Sequence, residues 1–299
     1  MNLTRNLNRY LSGEDVRWVK DNLFALGYYT SNIKKISNNR YGNDTYKAVK
    51  AFQKANDLNE DGIYGKKSHA MMEKILAGTK GLETVYVTAK EYPRISETVR
   101  NKINVALNEV SDIRREVVLE ALKYATDATI AHKYKYPSSL YIRGGNLYNT
   151  NGKINTISKS YLTNTYSKKY ADYCTYGRLD MMKKAVVEDP DITGADCSGG
   201  IVGIFRHFGL VSLTFDDKAN GLLGGRSVAV AKANLTAGDF IGKSGHICLY
   251  VGGGYMVEWA GGEYGCQISS VSNRKCYSYT KKRLVSLAAC TKYRNPKFY

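Results

Sequence analysis

From Asp15 to Leu26 the apolar residues Val16, Val19, Leu23 and Leu26 recur at steps of three and four, which places them on one helical face. Gly27 ends that face. Ala48, Val49 and Phe52 predict a second helix, and Met71, Met72, Ile75 and Leu76 a third, stopped by Gly78. Three short helices make a small bundle over residues 1–78, and residues 79–94 read as a linker. Ile95 to His132 reads as one long helix, with Ile103, Leu107 and Val110 followed by Val118, Leu122 and Ala125. Residues 144–190, rich in Tyr, Asn, Ser, Thr and Lys, have weak periodicity and read as a surface insertion, at about 146–190, lining a cleft. Ile201, Ile204, Phe205 and Phe208 predict a further helix, and Ile247–Val251, Tyr255–Trp259 and Arg283–Leu287 predict strands. Residues 95–299 are thus expected to form an α+β domain.

Within the first domain one pattern occurs twice: Tyr41-Gly42-Asn43-Asp44-Thr45 and Tyr64-Gly65-Lys66-Lys67-Ser68, each leading into a helix. With GEDVRWVKDNLFALGYY and YGNDTYKAVKAFQKANDL, this region resembles, over residues 12–77, the peptidoglycan-binding domain common in bacterial and phage wall hydrolases. The resemblance implies a shallow ligand groove near the interhelical turns. Tyr41 and Tyr64 are the candidate wall contacts there, although such rings equally fill a core.

The formal net charge of +17, from 44 Lys and Arg against 27 Asp and Glu, draws the chain toward polyanions. Nucleic acid, anionic lipid and anionic wall polymers all qualify. No zinc-finger, helix-turn-helix or RNA-binding signature favours nucleic acid, and no apolar run is long enough to cross a bilayer. The six cysteines, at 174, 197, 248, 266, 276 and 290, form no CxxC pair and read as free thiols. The first residues lack the apolar stretch of a secretory signal, so synthesis in a reducing cytoplasm is expected.

The chemistry concentrates in two segments. Gly194-Ala195-Asp196-Cys197-Ser198-Gly199-Gly200 runs directly into a helix, so Cys197 stands at a helix N-terminus, where unpaired amides and the dipole favour a thiolate. Small residues beside it leave room for substrate. Ser244-Gly245-His246-Ile247-Cys248-Leu249-Tyr250-Val251 puts His246 at the start of a strand, which aims an imidazole rigidly. If Gly252–Gly254 is a three-residue loop, Val251 faces Tyr255 and Glu258 lies diagonally beside His246 on the same face. A two-residue loop turns Glu258 away. His69, His132 and His207 have no metal-ligand spacing, so no zinc is assigned.

DCSGG before a helix, together with GHICLYVGGGYMVEWAG, resembles the NlpC-type family of papain-like cell-wall cysteine peptidases, over residues 95–299. The resemblance implies a helix-borne Cys packed on an antiparallel sheet and hydrolysis of peptidoglycan stem peptides at the D-γ-glutamyl to diamino acid bond, with no metal or cofactor. It assigns Cys197 as nucleophile, His246 as base and then acid, and Glu258 as the orienting third member. Tyr141-Ile142-Arg143-Gly144-Gly145 resembles the family's tyrosine and paired-glycine motif, at an unusually long interval before the nucleophile. Tyr141 would then assist the Cys197 N–H at an oxyanion, or pack beneath the site; Asp196 would contact the stem peptide or cap the helix, and Ser198 joins the same candidate subsite. The reading expected is a peptidoglycan hydrolase acting on the wall after release, as in a phage endolysin or an autolysin. An amidase or acyl transferase with the same chemistry, or a wall-binding protein without catalysis, stays open.

Overall fold

The computed structural model describes residues 3–29, 38–80 and 85–299, and the chain divides into two compact units, Met1–Gly81 and Leu82–Tyr299. In the first unit, helices α1 (Glu14–Ala25), α2 (Asn43–Ala55) and α3 (Lys66–Lys80) surround Val16, Val19, Leu23, Val49, Phe52 and Met72, all fully buried. The third helix continues past Gly78, which costs only about 1 kcal/mol relative to alanine. The repeated motif is a repeated helix entry: Tyr41 and Tyr64 are 1% and 0% exposed, and Thr45 and Ser68 are buried at matching positions. Tyr41 donates its hydroxyl to the Gly62 carbonyl at 2.8 Å, and the Tyr64 hydroxyl lies 3.3 Å from His69 Nδ1. Both rings therefore belong to the core, and the reading of them as wall contacts is corrected: neither presents a face to a ligand.

The second unit starts earlier than the pattern suggests. Val87 and Tyr92 are buried in its main core, and Asn104 clamps the Val87 backbone from both sides, so residues 85–94 are packed structure. Of the expected linker, residues 79 and 80 end α3, and residues 81–84 lie outside the described residues. The long helix expected over Ile95–His132 is two helices, α4 (Glu97–Leu107) and α5 (Asp112–Lys123). Ser111 adopts the extended backbone of an N-cap, and Arg115 donates to the carbonyls of Leu107 and Val110, which satisfies the end of α4. Residues 146–190 also depart from a plain surface insertion. Leu162, Tyr166, Met181 and Met182, the last two on α6 (Arg178–Glu188), build a second core with Tyr277 and Tyr279.

The short strands β1 (Thr126–Asp127), β2 (Ser139–Tyr141), β3 (Thr193–Ala195) and β4 (Ser227–Ala229) precede the longer β5 (Phe240–Lys243), β6 (His246–Gly252), β7 (Tyr255–Trp259) and β8 (Cys266–Ser270). Strands β9 (Lys275–Ser278), β10 (Arg283–Ser286) and β11 (Lys292–Pro296) follow. Seven form one sheet in the order β1-β8-β7-β6-β5-β11-β4, antiparallel throughout except where β1 meets β8. β2 pairs with β3 in parallel, and β9 with β10 antiparallel. Alternation along β6 and β7 sorts the side chains. Ile247, Leu249, Val251, Val257 and Trp259 join the core shared with α4, α5 and α7 (Cys197–His207), whereas Cys248 and Met256 join a smaller cluster with Cys290.

The β6–β7 hairpin corrects one expectation and keeps its consequence. Gly252 pairs with Tyr255, so Gly253 and Gly254, at φ 60° and 82°, form a two-residue turn. Alone that would turn Glu258 to the helix face. A register shift between Tyr250 and Gly252 leaves Val251 as the extra residue, restoring the Tyr250–Met256 and Leu249–Val257 pairs that put Glu258 on the His246 face.

Candidate active site

Cys197 is the first residue of α7 and is 8% exposed. Asp196 caps that helix: Oδ1 accepts from the Gly199 N–H at 2.7 Å and from Ser198 Oγ at 3.1 Å, while Oδ2 accepts from the Gly144 N–H at 2.9 Å. Both carboxylate oxygens are engaged within the protein, so Asp196 fills the capping role, and Ser198 is tied to the cap. The Gly144 bond matters for a second reason. Together with Asp196 N to Gly145 O and Ile142 N to Ala195 O, both 2.9 Å, it lays the Tyr141–Gly145 segment along the approach to Cys197 despite the long interval in sequence.

Tyr141 pairs with Ala195, and its ring stacks on Tyr173 from the insertion at 6.2 Å between centroids. Burial first, then the nearby Cys197 and Asp196, push its phenol well above the ordinary range, which keeps it a neutral donor. Arg143 stacks its guanidinium over the same Tyr173 at 4.6 Å. The room expected beside the nucleophile is filled by protein: a Cβ on Gly199 would meet the Gly145 carbonyl at 2.0 Å, and one on Gly200 the Trp259 ring at 2.3 Å. Glycine at these positions allows the helix to sit against its neighbours.

His246 begins β6 after a tight turn whose Gly245 N–H donates to Asn220 Oδ1 at 2.9 Å. Its Nε2 lies 2.8 Å from Glu258 Oε2, and its side chain is 12% exposed. Burial alone would lower its pKa, but hydrogen bonding to Cys197 and Glu258 outweighs that and pushes it up to about 9. Cys197, His246 and Glu258 are therefore neighbours, drawn from α7, β6 and β7.

A fourth residue was not singled out from the sequence. Arg274, between β8 and β9, donates from Nε to both Glu258 oxygens at 3.1 Å and from Nη2 to Oε2 at 2.5 Å. Its Nη1 donates to the Ala288 carbonyl at 2.7 Å, and Ser269 Oγ donates to Glu258 Oε1 at 2.5 Å. Burial of Glu258 opposes its ionisation, yet the bonds from His246 and Arg274 hold its carboxyl far below the usual carboxylate range. A fork-shaped cation under a fully buried carboxylate keeps that carboxylate charged and aimed. In a chain of 44 Lys and Arg nothing local marks this arginine, apart from its place between two strand-like runs.

No helix among the described residues is long and apolar enough to cross a membrane. Residues 12–72 match the family described as "Putative peptidoglycan binding domain". No curated protein and no solved structure matches the chain. The first unit thus carries a peptidoglycan-binding domain, which supports a cell-wall-related function and binding to peptidoglycan.

Proposed function

We propose that the second unit is a cysteine peptidase of the NlpC type, and that the protein hydrolyses the peptidoglycan its first unit binds. The observation that carries this reading is the convergence of Cys197 at a helix start, His246 and the buried Glu258 carboxylate 2.8 Å from the imidazole. Glu258 occupies Nε2, which leaves Nδ1 to exchange a proton with the Cys197 thiol. The thiolate attacks the scissile carbonyl, and the oxyanion forms beside the free N–H groups of the first helical turn, with the Tyr141 hydroxyl as an additional donor. His246 then protonates the leaving amine, a Cys197 thioester remains, and a water deprotonated by His246 releases the acid.

In this proposal the bond cut is the one between the γ-carboxyl of D-glutamate and a diamino acid. The biological setting is host-cell lysis by a phage endolysin, the protein being made in the cytoplasm and acting on the wall after release. An amidase or acyl transferase would share the catalytic groups and differ in products. The test is turnover of purified peptidoglycan and of soluble stem peptides. Thiol alkylation should abolish cleavage and chelators should leave it intact, because the nucleophile is a thiolate and not a metal-bound hydroxide. Cleavage that needs added zinc contradicts the proposal.

A further inference from the structure

Three residues from two separate segments, His246 and Cys248 on β6 and Cys290 beyond β10, bring one ligand atom each to within 4.8 Å of one another. Cys248 stands two residues after His246 on β6, so their side chains share a face, and Cys290 approaches from the segment ahead of β11. The two sulfurs are 3.9 Å apart and form no disulfide. Two thiolates on one tetrahedral zinc-sized ion, each bound at about 2.3 Å, stand about 3.8 Å apart, so the sulfur spacing already matches. An imidazole nitrogen is the usual companion of such a pair, and sulfur donors select against cations that prefer oxygen. Glu258 Oε2 lies 3.9 Å from Cys248 Sγ and 2.8 Å from His246 Nε2, so the cluster adjoins the Glu258 carboxylate. Charge also balances. Glu258 and Arg274 neutralise each other in the adjoining pair, so a dication held by two thiolates adds no net charge to the buried site.

We propose that His246, Cys248 and Cys290 form a binding site for a thiophilic divalent cation of the zinc class, and that loading it withdraws His246 from Cys197. Two thiol protons leave to solvent as two metal–sulfur bonds form, and the imidazolium proton of His246 returns to the Cys197 thiolate as the ring takes up the ion, with no change of oxidation state. Binding stands apart from the peptidase reading; the silencing of hydrolysis rests on it.

Cobalt(II) is the probe, because thiolate ligation gives charge-transfer absorption and a tetrahedral site gives visible d–d bands. The reduced, chelator-treated full chain is titrated as wild type, C197A, C174S, C248S, C290S and C290A. One equivalent should develop these bands in wild type, C197A and C174S, and the bands should be lost in C248S and in both Cys290 variants. Bands that vanish in C197A, or persist in C290S and C290A, place the ion on the nucleophile pair and overturn the site, as does their absence from wild type. In the activity arm, wild type and C290S are each referred to their own metal-free rate. The zinc concentration for half-inhibition should rise at least tenfold in C290S, and equal sensitivity contradicts the silencing.

Discussion

The Glu258 carboxylate receives bonds from His246, Ser269 and Arg274 while fully buried, so its replacement acts on both chemistry and stability. Glu258→Gln keeps an oxygen that can orient the imidazole and should retain part of the activity. Glu258→Ala should lose substantially more, toward the roughly 10²–10⁴-fold contribution of a positioned acid–base group. Wild-type kinetics in the alanine variant would remove Glu258 from the site. Arg274→Met strands a buried carboxylate and should cost about 3–5 kcal/mol in denaturant unfolding, the usual scale for a broken buried pair. A loss below about 1 kcal/mol, the scale of an exposed pair, would show that the fork contributes little. Cys197 and His246 were legible because each sits in a short local motif at the start of an element. Arg274 was not, because its role exists only once β7, β8 and β9 are folded together.

Elements place these groups through close approach and register. Gly200→Ala would drive a Cβ into the Trp259 ring, itself held by a 3.1 Å bond from Nε1 to Ser139 Oγ, so the ring cannot simply turn aside. The expected cost is about 1–3 kcal/mol, the scale of overpacking, read as a lowered Tm. An unchanged Tm would mean that α7 shifts freely against the sheet. The hairpin shows what periodicity can and cannot supply. Alternation along β6 and β7 was visible in the sequence, but three consecutive glycines allow several turns, and the bulge at Val251 is settled by the pairing of whole strands. The break between α4 and α5 was missed for a related reason. Apolar residues continue on both sides of Asn108–Ser111, and the end of α4 is satisfied by Arg115 from the next helix.

Across the whole molecule, the first unit carries the match to a peptidoglycan-binding domain, and the second holds Cys197, His246, Glu258 and Arg274. Each unit has its own core. Residues 82–299 alone should therefore cleave soluble stem peptides while associating poorly with intact walls; loss of cleavage in a folded fragment would show that the units share one site. Raising salt should weaken wall binding of the full chain, since a net charge of +17 acts through fields screened over roughly 8–10 Å near physiological ionic strength. Unchanged binding would assign the contact to neutral groups. In the proposed function Cys197 performs hydrolysis on the wall that the first unit binds. Mass spectrometry of the soluble fragments released from purified peptidoglycan by wild type and by C197A tests it most directly. Wild type should release fragments with new stem-peptide termini while C197A binds the wall and releases none; the same fragments from both proteins would exclude Cys197 as the nucleophile.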